Sequence, residues 1–305
     1  MFHNHDYLRF FLRKTGYKIN DTEYGEHLYE EKIFDLFNIG SENRKGVKKY
    51  ERYVDILSDP NNLFIERHKD AGLLEDNIIT LHNGIKLYAD YYGDFIDILK
   101  YNLGVHEPSE ERAFQKVLSV LKPESIMVEL GSYWSMYSLW FRKTIKNSRS
   151  FCFESVEENL NLGQRNFDLN NIEGEFVQAE IGIEKFNLCN YLKNYSFDFI
   201  DILHSDIQGN ELEMLDNMSP FFEDQKIKYV FISTHSQILH ESCIEFLNKK
   251  NYKILCSCDF DNETYHCDGF ILSCPENLNE INPFFIGNRS VSYIFSDQEL
   301  NEFLK

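Results

Sequence analysis

The sequence has no apolar run approaching the roughly 18 residues that a membrane helix needs, so no membrane span is expected. Its start, Met1-Phe2-His3-Asn4-His5-Asp6, lacks the basic opening and apolar stretch of a secretory leader, which points to a cytoplasmic protein. A basic surplus is also missing: 31 Lys and Arg stand against 50 Asp and Glu, for a formal charge of -19. Such a surface repels phosphate backbones, and nucleic acid is not an expected partner. Nor is there an Asn/Asp-Pro-Pro-Tyr/Phe loop of the kind that receives a flipped base. The seven cysteines are odd in number and show no disulfide framework. Cys256, Cys258, Cys267 and Cys274 have poor zinc-ribbon spacing, and most lie in strand-like runs where thiols pack as small hydrophobes. No G-x-G-x-x-G marks a dinucleotide site, and no Gly-Lys-Ser/Thr marks a phosphate-binding loop.

What is present begins at Ile126. Ile126-Met127-Val128-Glu129 reads as a short buried strand ending in an acid, Leu130-Gly131-Ser132-Tyr133 as a turn with one glycine, and Met136 to Phe141 as an apolar helix. Strand, acid, turn and helix form the first βα unit of an open α/β sheet, where ligands bind at the carboxyl ends of the strands. An acid two residues before the glycine suits a ligand that offers an ammonium or hydroxyl rather than a phosphate. S-adenosylmethionine is such a ligand; another nucleotide, or a turn that binds nothing, is the alternative. The chain of 305 residues, 43% of them hydrophobic, can hold one large domain, or one domain and an appendage.

In chain order, residues 1–75 predict a mostly helical extension, with helices over 27–37 and 47–57 and no chemical motif. Its aromatic content suggests packing on the remainder, residues 76–305, or on a second subunit. Ile78–Leu81 and Ile85–Tyr88 predict a hairpin whose Asn83-Gly84 supplies a type I′ turn. Ser109 is a plausible N-cap for a helix to about Leu121, with Glu110 and Glu111 suited to its positive end. Ser150–Glu154 is a second strand ending in an acid, and Glu154 is placed to accept two ribose hydroxyls. A helix over Val156–Asn170 and a third strand over Glu175–Gln178 follow. The exit Ala179-Glu180-Ile181-Gly182 has small residues that leave room for an adenine ring. Ser196–Leu203 and Ile227–Ser233 are the next strands, running into His204-Ser205-Asp206 and Thr234-His235-Ser236. A helix over Gln237–Lys249 precedes strands Tyr252–Cys256 and Gly269–Ser273, separated by a polar turn over 259–264. The whole reads as a seven-stranded, mostly parallel Rossmann-like sheet with an antiparallel edge hairpin.

His204, Asp206 and His235 converge on the carboxyl edge in this reading. One arrangement makes a histidine of ordinary pKa, near ~6.5, the general base for a hydroxyl acceptor, with Asp206 orienting it. Another makes the three residues ligands of a divalent metal, Mg or Mn, that lowers the acceptor's pKa.

Met127-Val128-Glu129-Leu130-Gly131-Ser132-Tyr133-Trp134-Ser135-Met136-Tyr137-Ser138 resembles the opening motif of the FkbM-type S-adenosylmethionine-dependent methyltransferases. The run from Asp201 to Glu213 resembles that family's Asp and Gly-x-Glu signature. Gly104-Val105-His106-Glu107-Pro108 resembles its Glu-Pro segment, and Ile232-Ser233-Thr234-His235-Ser236 a later motif. The resemblance covers about residues 77–275 and implies a class I methyltransferase fold. It implies a cofactor held by Glu107, Glu129, Gly131, Ser132 and Tyr133 on one side. Glu154, Ser155, Ala179 and Glu180 would hold it on the other. It also implies a hydroxyl acceptor on a small molecule or saccharide, often in surface-polysaccharide assembly. An amine, a phosphate-type oxygen or a lipid as acceptor, or a scaffold that only binds, are the other readings. Two departures stand out: the family often has glycine at Ser135 and an acid at Gln208.

Overall fold

The computed structural model describes residues 56–57, 59–89, 96–182, 185–195, 197, 199–259 and 268–286. The helix expected over 27–37, all but residues 56–57 of that expected over 47–57, all but residue 259 of the turn expected over 259–264, Cys267 and any oligomer contact through residues 1–55 lie outside the described residues.

A short 3-10 helix, Pro60–Phe64, leads to three strands, β1 (Leu74–Glu75), β2 (Ile78–Thr80) and β3 (Lys86–Tyr88), which form one antiparallel sheet. The expected division after residue 75 therefore falls between two paired strands. The β2–β3 turn is not type I′. Gly84 alone is left-handed, at φ 76, and its N–H returns to Leu81 O at 2.9 Å. Asn83 keeps ordinary backbone angles and instead accepts the Ile85 N–H with its side chain, the tight turn plus left-handed residue of a three-residue hairpin loop.

Two helices follow, α1 (Ile96–Tyr101) and α2 (Pro108–Leu118). Glu107, not Ser109, occupies the N-cap position of α2, without a side-chain capping bond, because Pro108 suits the first helical position, where no N–H is needed. Then come β4 (Ile126–Leu130), α3 (Met136–Thr144), β5 (Arg149–Glu154), α4 (Glu157–Leu169) and β6 (Glu175–Gln178). The second half adds α5 (Leu188–Lys193), β7 (Ile200–Ser205), α6 (Glu211–Asn217), α7 (Ser219–Glu223), β8 (Ile227–Thr234), α8 (Gln237–Lys249), β9 (Tyr252–Cys258) and β10 (Gly269–Pro275).

The large sheet has the order β6-β5-β4-β7-β8-β10-β9, with β10 antiparallel to both neighbours and the rest parallel. Strand order reverses between β4 and β7, so their carboxyl ends flank the crevice where ligands bind in such sheets. The central strands are buried along nearly their whole length because helices cover both faces, and their few polar residues, Glu129 and His204 among them, are buried too. Met127, Cys152, Ile202 and Phe231 pack with Phe114 of α2, Leu139 of α3 and Phe167 of α4. Val128, Phe153, Leu203 and Val230 pack with Leu188 of α5, Leu215 of α6 and Cys243 of α8. Among the described residues no helix is long and apolar enough to cross a membrane.

Candidate active site

The glycine turn is built around a close backbone crossing. Gly131 has φ 68, and a Cβ there would lie 1.8 Å from Asp206 O. Asp206 N–H in turn donates to Leu130 O at 2.9 Å. Only glycine lets the exits of β4 and β7 pass at this distance. Tyr133 (φ 47) and Ser135 (φ 59) are also left-handed, a conformation costly for residues with a Cβ. Ser135 thus takes the geometry that glycine, its usual counterpart in the resembled family, adopts without strain. Neighbours hold the turn in place. Glu154 Oε2 accepts from Tyr133 N at 3.0 Å, Ser132 N–H donates to Phe153 O at 3.0 Å, and the Asn166 amide donates to Trp134 O at 3.1 Å.

Glu154, at the tip of β5, is buried, and its other oxygen accepts from Val156 N at 2.9 Å. A carboxylate offers about four lone-pair positions, so two amides fix its orientation and leave room for two hydroxyl donors. Tyr133 and Val156 flank it with exposed apolar surface, 36% and 49% accessible. The hydroxyl of Ser132 is buried with no hydrogen-bond partner. An oriented acid with spare acceptor capacity, apolar surface on both sides and an unpaired hydroxyl fit an adenosyl group. Of the other residues expected at the cofactor, Ala179 lies beside Glu154, donating its N–H to Glu154 O at 3.0 Å. Ser155 is exposed, 3.4 Å from Glu154 Oε1. Glu180 is turned to solvent and pairs with Lys185. Glu107 sits at the start of α2, its carboxylate 3.5 Å from His106 Nδ1.

Glu129 differs from that expectation. It is 3% exposed and accepts the Ser138 N–H of α3's first turn at 3.1 Å. Burial pushes its pKa up to about 7; the nearby His204 charge and the Ser138 hydrogen bond oppose this without cancelling it. Glu154 therefore braces the outer side of the turn and Glu129 its inner side.

His204 lies inside β7, which runs two residues further than its sequence suggests, and it does not join Asp206 and His235. Its Nε2 is 2.7 Å from Glu110 Oε1 of α2, and its ring stacks near Tyr137 and Phe231, with centroids 4.4 and 5.9 Å apart. Burial lowers the His204 pKa, but the Glu110 hydrogen bond and the Glu110 and Glu129 charges outweigh it, so the net shift is upward. Glu111, next in α2, accepts from His106 N and Glu107 N at 2.6 and 2.8 Å and lies 2.9 Å from His82. Both acids of this first turn are buried partners of histidines rather than solvated charges at a helix end.

Asp206 and His235 do meet, and Glu211, the first residue of α6, completes the group. His235 Nδ1 is 3.0 Å from Glu211 Oε1, and His235 Nε2 is 3.3 Å from Asp206 Oδ1, too poorly aligned for a hydrogen bond. Gly209 N–H donates to Glu211 Oε1 at 3.1 Å, and Gln208 donates to Asp206 Oδ1 at 2.8 Å. Burial pulls the His235 pKa down, but the two carboxylates push it up to about 10. Its imidazole thus carries a proton at neutral pH and is not the ready base that an ordinary histidine pKa implies. Glu211 was legible only as the acid of a Gly-x-Glu helix start, and Glu110 only as a helix-dipole partner. Their partners lie 24 and 94 residues away, beyond the reach of any spacing rule.

Residues 137–254 match the methyltransferase FkbM domain, a span that begins just after the glycine turn and covers β5 to β8. No curated protein matches the chain. Among solved structures, ribosomal protein L11 methylase from Lactobacillus delbrueckii subsp. bulgaricus is 10% identical, with TM-score 0.40 over 55% of this chain and 79% of its own. Precorrin-6y C5,15-methyltransferase from Geobacter metallireducens is 15% identical, with TM-score 0.39 over 53% and 86%. TrmK of M. capricolum, solved with S-adenosyl-homocysteine, is 14% identical, with TM-score 0.38 over 54% and 68%. The stretch of this chain that is similar to the methyltransferase FkbM domain thus lies on the large sheet, running from α3 through β8.

Proposed function

We propose that the enzyme methylates a hydroxyl of a small molecule or saccharide, a sugar or sugar nucleotide, in the cytoplasm and in the service of surface-polysaccharide assembly. The observation that carries this reading is the Asp206–His235–Glu211 group lying directly behind the glycine turn, within one backbone crossing of Gly131. When bound, S-adenosylmethionine supplies a methyl group already activated by its sulfonium, with a neutral thioether as leaving group.

The chain's own residues then have three tasks. Glu154, Tyr133, Ser155, Ala179 and the Ser132 hydroxyl hold the adenosyl part, while Gly131, Glu107 and Glu180 border it. Glu129 keeps the turn in shape from beneath. Asp206, whose side chain is 40% exposed, receives the acceptor hydroxyl and its proton, and the imidazolium of His235 on buried Glu211 stabilises the charge there. Orientation and proton removal are the contributions left to the protein in such a displacement. Residues 76–305 act as the catalytic unit. Residues 1–75 are an extension whose last strand, β1, pairs with β2.

The net charge of -19 favours a soluble, uncharged or weakly charged acceptor over a phosphate polymer. Incubating the enzyme with S-adenosylmethionine and a panel of sugars, nucleotide sugars, amines and nucleic acids tests the reading. It predicts a mass gain of one methyl group on a hydroxyl compound, stable to mild base. A product methylated only on nitrogen or on nucleic acid refutes it.

A further inference from the structure

The Asp206–Glu211–His235 group has features that proton transfer alone leaves unexplained. Glu211 is fully buried, yet its Oε2 has no hydrogen-bond partner. A buried carboxylate oxygen without a donor is costly unless a positive charge meets it, and His235 reaches only the other oxygen, Oε1, at 3.0 Å. The Nε2 of His235 is likewise buried without a hydrogen-bond partner, although it faces Asp206 at 3.3 Å. One ligand atom from each of the three residues lies within 4.8 Å of the others. A cation with bonds of roughly 2.1 Å holds adjacent ligand atoms about 3 Å apart and opposite ones about 4.2 Å apart. The 3.3 Å separation already matches an adjacent pair, and no separation in the group exceeds 4.8 Å.

The surroundings suit such a site. Gly209 N–H and the Gln208 amide orient the two carboxylates from outside, as second partners of metal ligands do. Exposure rises from Glu211 (0%) through His235 (19%) to Asp206 (40%), so the group opens on one side only. A Cβ added at Gly209 would find no atom within 4 Å, which places open space at that rim. Two carboxylates and one imidazole are a hard, oxygen-rich set suited to Mg2+ or Mn2+. Three protein ligands leave three positions of an octahedron for the acceptor and water.

We propose that Asp206, Glu211 and His235 bind a divalent cation, Mn2+ or Mg2+, which takes the acceptor as a chelate through two neighbouring oxygens, as in a vicinal diol. The cation replaces His204 with Glu211 in the metal group that the sequence suggests. On binding the cation His235 releases its Nε2 proton to solvent and Asp206 becomes a ligand instead of the proton acceptor, and a hydroxyl bound to the cation loses its own proton more readily. The new O–CH3 bond forms as the S–CH3 bond breaks, the bonding pair returns to sulfur, and the proton passes to water at the rim. The metal assignment stands on the three side chains alone; the choice of a diol rests on the hydroxyl-acceptor reading above.

The test is a titration of the full chain with Mn2+, following free Mn2+ by electron paramagnetic resonance, beside calorimetry with S-adenosylhomocysteine. One Mn2+ per chain should bind, and Asp206→Asn and Glu211→Gln should each weaken it at least tenfold while changing S-adenosylhomocysteine affinity less than about twofold. If buried Glu211→Gln fails to fold, Asp206→Asn at the rim carries the comparison. Absence of Mn2+ binding at millimolar metal, or binding unaffected by Asp206→Asn, overturns the proposal. Full methylation of a hydroxyl after chelation overturns it too, while leaving the O-methyltransferase reading intact. Stoichiometric Mn2+ binding in an enzyme that methylates only nitrogen supports the cation site and refutes the hydroxyl reading instead.

Discussion

Glu129 gives the sharpest stability prediction. Its carboxyl has an ordinary pKa of 4.5 and is pushed to about 7 in the fold, chiefly by burial. Between those values the folded protein holds a proton that the unfolded chain has already lost. Stability therefore falls as pH rises through that window, and above about 7 the fold carries a buried carboxylate in place of a neutral acid. Each pKa unit is worth about 1.4 kcal/mol, so a shift of this size corresponds to about 3 kcal/mol. Glu129→Gln has the same shape, can still accept the Ser138 N–H through its carbonyl oxygen, and stays neutral at every pH. It should match the wild type near pH 5 and be more stable by about 2–3 kcal/mol at pH 8. For a chain of this size that is roughly 5–10 °C in melting temperature. Some slope should remain, because the raised His204 pKa adds stability that is full below its ordinary value of 6.5 and is lost as pH rises through the folded one. The assay is denaturant unfolding of both proteins, without cofactor, at half-unit steps from pH 4.5 to 8.5. A glutamine variant with the full wild-type slope, or one less stable at pH 8, refutes the argument.

Glu154→Ala removes the acceptor of two backbone amides along with the carboxylate proposed to hold the ribose, so S-adenosylhomocysteine should bind at least tenfold more weakly, about 1.4 kcal/mol or more, by calorimetry. Gly131→Ala places a methyl group 1.8 Å from Asp206 O and should cost more than about 2 kcal/mol in unfolding, with loss of cofactor binding in whatever folds. Glu110→Gln leaves buried His204 without its anion. It should destabilise by about 2–4 kcal/mol at pH 6 and less at pH 9, where the wild-type pair has lost more of its charge; an equal loss at both pH values would count against a charged pair.

The seven strands and their alternation with helices, the glycine turn and the acids closing two strands were legible in the chain because they depend on local patterns. A short, largely apolar run such as Ile126–Leu130, bounded by turn residues, fits a strand covered on both faces, and an isolated glycine after it marks where the backbone turns. Which acids face the surface was not legible. Glu129 and Glu154 look alike in sequence, each closing an apolar strand. One braces a turn from below and the other stands at the tip, because Glu129 lies one residue before the end of β4, beneath the first turn of α3. The histidines divide for the same reason. One extra pair of residues in β7 draws His204 under α2, where Glu110 waits, while His235 emerges just past β8. The sequence by itself determined the sheet and the place of its functional edge, since alternation and turn chemistry act between near neighbours. Tertiary structure alone decided that His235 pairs with Asp206 and Glu211 rather than with His204, because that choice depends on strand lengths and helix packing between segments far apart in the chain.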